Sequence, residues 1–340
     1  MIKRLKVNSL IRGAFKCMAI MLGLALLIEP CIASIPEIVG IDASKDGFSL
    51  AIMSDGTVWA WGNNYRGQVG DGSTQDKNTP VKVPMSNVTV VSGGLLHTTA
   101  LKDDGTVWEW GHTNFYQDQC VGYNESSSTF PPIKIPINSV KKISAGDSYT
   151  LALLNNGTVW AWGDNYYGQL GDGTNISNSV VQVKGLKNIT DIHAGYGYSM
   201  ALDEYGNVWE WGRIYKGHQN NTYATPITIN VLTPIQIPLS NVTAISSGNF
   251  FSLALKDDGT VWVWGRNYDG QLGIGTTEDS LTPTIISGLK DIVAISGGDI
   301  ASMALKKDGT LWAWGNSIGS FGTGDTDTKK YLNPVLVSIL

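Results

Sequence analysis

Six copies of one eight-residue phrase constrain this chain more than anything else in it: DGTVWAWG at Asp55, DGTVWEWG at Asp104, NGTVWAWG at Asn156, YGNVWEWG at Tyr205, DGTVWVWG at Asp258 and DGTLWAWG at Asp308. They hold all twelve tryptophans, Trp59, Trp61, Trp108, Trp110, Trp160, Trp162, Trp209, Trp211, Trp262, Trp264, Trp312 and Trp314. The glycines Gly56, Gly105, Gly157, Gly206, Gly259 and Gly309 are 49, 52, 49, 53 and 50 residues apart. A fixed period near 50 marks a solenoid or a propeller. Six units tile the chain at about 38–85, 87–137, 139–186, 188–239, 241–289 and 291–340.

Each unit opens on an apolar stretch such as NVTAISSG (241–248) and continues through a run such as SLALKDDGT (252–260). Both alternate like short strands and lack the 3.6-residue period of a helix. The Asp-Gly and Asn-Gly steps then turn the chain into a hairpin, because glycine reaches positive φ without strain. On the return strand a period of two puts Trp59 and Trp61 on one face, with Val58 and Ala60 on the other. Both faces are apolar in most copies, so both need cover. Radially stacked blades supply it, each indole face pressing on a neighbouring blade, and the twelve tryptophans are therefore expected to be structural core.

The first 33 residues stand outside the repeat. Lys3, Arg4, Lys6, Arg12 and Lys16 precede the apolar run CMAIMLGLALLI, and a small residue follows at Ala33. This order reads as a signal peptide, 1–33, with cleavage after Ala33 and the propeller domain occupying 34–340. The apolar run falls short of the ~20 residues of a membrane span; an uncleaved anchor is the alternative. Cleavage leaves 19 Lys and Arg against 28 Asp and Glu, a net charge of -9. An acidic surface disfavours nucleic acid and anionic membranes as partners. Of three cysteines only Cys120 remains, so no internal disulfide framework supports the fold.

Three units carry a second phrase behind the tryptophans: NNYRGQVGDG (63–72), DNYYGQLGDG (164–173) and RNYDGQLGIG (266–275). Units end in runs such as TPVKV, PPIKI, TPIQI, TPTII and NPVLV. With SGGLLHTTALKDDGTVWEWG (92–111), these phrases resemble the regulator-of-chromosome-condensation (RCC1-like) repeat family over residues 38–340. The resemblance implies an all-β fold, a β-propeller of four-stranded blades used mainly for contact with other proteins. Family propellers commonly have seven blades, whereas six are countable here. A six-bladed ring closed by pairing near the termini is expected; a missed or borrowed seventh blade is the alternative. Units two and four lack the Gly-Gln-Leu-Gly phrase, and unit six keeps only GSFGTG (319–324).

Candidate chemistry is sparse. His97 occupies a position filled elsewhere by Phe48, Tyr149, Tyr198, Phe251 and Ala301, which points to packing. His112, His193 and His218 follow no ligand spacing, and Asp71 and Asp172 sit singly in tight turns, so no metal is expected. Glu109 and Glu210 replace Ala or Val between tryptophans, two units apart, too far for the carboxylate pair of a glycosidase; solvated or hydrogen-bonded acids facing the altered loops are expected. No nucleophile elbow or phosphate loop occurs, and no cofactor or catalytic residue is assigned. Seven Asn-x-Ser/Thr sequons occur, Asn87, Asn124 and Asn241 among them. Tyr65, Tyr166 and Tyr268 recur before the Gly-Gln phrase, roughly matched by Tyr116 and Tyr215, and are the candidate partner-binding ring. The sequence thus reads as a secreted or cell-envelope propeller, not an enzyme, binding another protein through one rim. A polysaccharide-binding module and a secreted hydrolase are the alternatives.

Overall fold

The computed structural model describes residues 36–44, 47–112, 131–176, 178–218, 226–317 and 329–337. The compact unit that holds the repeats is Pro36–Leu340, and the expected signal peptide, 1–33, lies outside the described residues. In the first repeat an inner strand (Ile38–Ala43), a second (Phe48–Met53), a third (Val58–Gly62) and an outer one (Lys77–Val83) pair antiparallel in that order. Five more four-stranded sheets follow over 88–134, 140–182, 189–237, 242–285 and 292–336. Each repeat unit is therefore one blade, and six blades are arranged as a β-propeller.

Local chemistry sets the hairpin. Asp55 Oδ1 accepts the Thr57 amide at 2.9 Å and the Thr57 hydroxyl at 2.7 Å, while Gly56 takes φ 75°. The glycine closing each Trp-Gly step has a different reason for being there. Gly265 has φ 111°, and a Cβ on it would lie 2.3 Å from the Phe250 carbonyl oxygen, so the second and third strands pair this closely only without a side chain.

Five apolar clusters fill the five junctions between successive blades. Between blades 3 and 4, Leu151, Leu153, Val159 and Leu170 face Ile192 and Trp211. The indoles divide into two sets. Trp110, Trp162, Trp211, Trp264 and Trp314, the second of each pair in blades 2 to 6, are buried. Trp59, Trp108, Trp160, Trp209, Trp262 and Trp312, the first of each pair, are half-buried, and so is Trp61, the second of the pair in blade 1. Nε1 of Trp108, Trp160, Trp262 and Trp312 donates to the turn threonine two residues earlier at 3.2–3.3 Å. The expectation of twelve equivalent core indoles is corrected to five: both members of a pair share a face, but the first lies at the turn end, where the preceding blade covers it only in part.

The ring is not closed as expected. Among the described residues no sheet combines strands from both ends of the chain, because every unit already supplies its own four. Along the inner strands, Asp42 Oδ2 accepts the Gly93 amide, Ser92 Oγ the Ala145 amide, Ser144 Oγ the Ala194 amide and Ser246 Oγ the Gly297 amide. His193 makes the equivalent link to Ser247. Ser296, next in the series, is exposed. Ile41 is 79% and Ile38 63% exposed, although Val91, Ile143, Ile192 and Ile245 at the Ile41 position are buried. Met303, at the position of the fully buried Leu253, is 39% exposed. Among the described residues, then, blades 1 and 6 each present an outward wall at a seam. Ile41→Ala and Met303→Ala should each change the unfolding free energy by no more than about 0.5 kcal/mol, as at ordinary surface sites. A urea melt showing a core-sized loss for either would mean that the seam is closed in solution.

Candidate functional site

The rim opposite the Asp-Gly turns carries the loops between third and outer strands. In blades 1, 3 and 5 one asparagine knits this loop together. Asn165 Oδ1 accepts the Leu170 amide at 2.9 Å, and its Nδ2 donates to the carbonyls of Thr174 and Ile176, both at 3.1 Å. Asn64 and Asn267 repeat the pattern. The folded loop drives Val69, Leu170 or Leu272 into the junction, and its glutamine carbonyl receives the next blade's indole: Trp110 Nε1 to Gln68 O at 3.0 Å, Trp211 to Gln169 O at 2.8 Å, Trp314 to Gln271 O at 2.9 Å. These asparagines were missed in the sequence, although each directly precedes the recurring tyrosine.

Blades 2 and 4 lack the Gly-Gln phrase in their sequence, and there a glutamate receives the next blade's indole. Trp162 Nε1 donates to Glu109 Oε2 at 2.7 Å, and Trp264 Nε1 to Glu210 Oε1 at 3.0 Å. Thr99 and Thr150 also donate to Glu109, and Ser252 to Glu210. Both acids are buried, which corrects the solvated option and leaves the hydrogen-bonded one. Burial pushes the Glu109 carboxyl up to about 7 and raises that of Glu210, against the pull of those hydrogen bonds. The two acids occupy different junctions and do not form a carboxylate pair. His97 is buried against Thr150, with Nε2 at 3.1 Å from Oγ1. Asp71 pairs with Lys77 at 2.8 Å and accepts from Ser73, and Asp172 accepts from Thr174, as turn-capping acids. Among the described residues no three His, Cys, Asp or Glu gather as a metal site.

The structure does not bring the four described tyrosines into one exposed ring. Tyr65 is 52% and Tyr166 68% exposed. Tyr166 meets Tyr167 edge-on with centroids 4.9 Å apart, and Ile176 on the same loop is exposed too. Tyr268 is half-buried under Lys330, whose Nζ sits 3.6 Å from the ring centroid. Tyr215 is buried, its hydroxyl donating to Asp279 Oδ2 of blade 5 at 2.7 Å beside His218. Tyr116 lies outside the described residues. Tyr215 departs from the pattern because blade 4 has no folded loop: its third and outer strands run on as a long hairpin, Val208–His218 with Pro226–Ile237. That arm braces both neighbours, taking the Gly173 amide of blade 3 on the Leu232 carbonyl at 2.9 Å.

A family profile described as RCC1-like domain matches residues 118–340, and profiles of the regulator of chromosome condensation (RCC1) repeat match 55–101 and 38–68. The chain belongs to the RCC1-like domain family. Within this family, the E3 ubiquitin-protein ligase HERC2 of Homo sapiens is 28% identical over 259 residues, covering 71% of this chain and 5% of HERC2. The Ultraviolet-B receptor UVR8 of Arabidopsis thaliana is 28% identical over 263 residues, covering 73% of this chain and 57% of UVR8. The RCC1-like chain thus spans well under two thirds of these relatives. Yeast RCC1 (Prp20), solved bound to Kap60, superposes with a TM-score of 0.74 at 21% identity over 89% of this chain and 75% of that one. At that identity the likeness speaks to the fold alone.

Proposed function

We propose that residues 1–33 direct export and that the mature chain is a non-enzymatic RCC1-like propeller of the exterior or cell envelope, binding another protein through the rim that carries Tyr65 and Tyr166. The observation that carries this reading is the exposure of two large aromatic side chains on loops held rigid from beneath by Asn64 and Asn165. Aromatic anchors on a preorganised support lose little entropy on binding and dominate interfaces. The solved complex of yeast RCC1 with Kap60 supports a protein as the partner class, and the acidic mature surface argues against nucleic acid.

Tyr65→Ala and Tyr166→Ala together should leave the melting temperature nearly unchanged, since neither ring fills a junction. The same pair should weaken capture of a partner from native culture fluid by about tenfold or more. Unchanged capture would remove the rim from the reading. Capture of polysaccharide in place of protein would favour a wall-binding module.

A further inference from the structure

After blades 1, 3 and 5 the folded loop drives Val69, Leu170 or Leu272 against the next blade's second indole. Gly70, Gly171 and Gly273 follow these plugs, each so close that a Cβ would lie 2.3–2.7 Å from that indole. Trp110, Trp211 and Trp314 are in consequence 0–2% exposed. Blade 4 extends as a straight arm instead. The arm sends Ile214 into the junction with blade 5, yet Trp264 stays 6% exposed and a cavity of about 100 Å³ remains beside it. Ile235, Ile237 and Leu281 are its apolar walls, and Ile235, Leu281 and Lys216 are exposed, so the space opens to solvent.

Arg213, which also lines the cavity, has no charged partner among the described residues. The rings of Tyr167 and Phe250 lie 4.5 and 4.7 Å from its guanidinium, and its buried Nε–H makes no hydrogen bond. In blade 6 the equivalent Asn316 donates to Asp269 of the preceding blade at 3.1 Å; Tyr167 stands where that acid would be for Arg213. Phe250 holds its place at φ 63°, where blades 1 and 4 have Gly47 and Gly197. A bulky residue persists in that conformation only where its surroundings over-determine it. Tyr167 also meets the exposed Tyr166 edge-on, so tyrosine and cavity belong to one surface.

We propose that this cavity receives from a protein partner a leucine or valine side chain, which takes the place of the missing plug, with an acidic side chain nearby on Arg213 and Lys216. The occupant follows from the chain's own plugs, Val69, Leu170 and Leu272, which fill the corresponding place in three other junctions. Its size follows from the volume: a cavity of ~150 Å³ holds the six carbons of benzene, so about 100 Å³ suits the four of an isobutyl group and excludes an aromatic ring. Its neighbour follows from charge, since an unpaired guanidinium edge beside a lysine favours a carboxylate over a cation. The inference rests on the reading of the chain as a protein-binding propeller and adds to the tyrosine rim a contact made by blades 4 and 5.

The end-blocked peptide GQLGDG, copied from residues 168–173 with the plug Leu170 and the acid Asp172, is the probe. Titrated to about 10 mM into the isotope-labelled full chain, it should shift the indole N–H resonance of Trp264 with a Kd on the order of 1 mM. The resonances of Trp110, Trp211 and Trp314, whose plugs are in place, should stay still. Alanine for the peptide's leucine should weaken binding at least about tenfold by removing apolar carbons. Asparagine for its aspartate should weaken binding about two- to fivefold, as for an exposed ion pair. Lys216→Glu, a change at an exposed site, should weaken the aspartate peptide more than the asparagine one. The assignment is overturned if Trp264 does not respond, if all four indoles respond alike, or if the alanine or asparagine peptide binds as well as the parent. Tyr65→Ala with Tyr166→Ala should leave the Trp264 shift unchanged, so a silent Trp264 leaves the tyrosine rim standing, and failure of that rim leaves this cavity standing.

Discussion

Trp211→Ala should lower the unfolding free energy by ~3–5 kcal/mol, the cost of emptying a large aromatic site in a packed core. Trp211 has no exposed surface, and its Nε1 donates to the Gln169 carbonyl at 2.8 Å. Truncation leaves a cavity among Leu151, Val159, Leu170 and Ile192 and removes one of that carbonyl's two donors, the other being Ser199 Oγ at 2.8 Å. Trp209, two residues earlier on the same face, is half-buried and bonds Asp203 at the turn. Trp209→Ala should therefore cost only ~1 kcal/mol, since much of that ring is already wet. Urea melts of the two variants measure the difference directly. Equal losses would refute the division of the tryptophans into a buried and a turn-side set.

Stability should fall as pH rises through about 7, and Glu109 is the group to which that fall belongs. Its carboxyl titrates in the folded protein near 7 because burial outweighs the hydrogen bonds from Trp162, Thr150 and Thr99; in the unfolded chain it titrates near 4.3, as an ordinary glutamate does. The folded state thus holds the proton more tightly. Its stabilising effect is complete below about pH 4 and is lost as pH climbs through the folded value, by an amount on the order of 3–4 kcal/mol. Glu109→Gln retains an oxygen for the Trp162 indole and cannot ionise. The variant should match the parent near pH 4 and exceed it near pH 8, with Glu210→Gln shifting stability in the same direction. Parallel pH profiles for parent and Glu109→Gln would show that this carboxyl does not titrate as its burial requires.

Much of the fold was legible in the chain because the forces behind it act over short stretches. Alternation in SLALKDDGT and the Asp-Gly turn specify a hairpin without reference to any other unit, and repetition at about 50 residues says that such units stack. The candidate site was less legible. Tyr65 and Tyr166 recur at equivalent positions and are exposed, yet Tyr215 is taken inward by a hairpin whose length follows from pairing with Pro226–Ile237. The alternation of loop-bearing blades with glutamate-bearing ones was visible in the sequence, but its reason was not. Trp162 meets Glu109 across 53 residues, and no spacing within one unit encodes that contact.

By itself the sequence determined six repeat units, the hairpin and turn in each and an acidic net charge, since period, φ-permissive glycines and charge are properties of residues and their near neighbours, while four strands to a blade came from the family resemblance. Tertiary structure alone decided which indole of the pair is buried in blades 2 to 6, where a carboxylate takes the place of a carbonyl, and that, among the described residues, the stack ends in a seam. Ile41 and Met303 are apolar like their counterparts in the interior blades, and only the presence or absence of a neighbouring sheet sets whether such a side chain is core or surface.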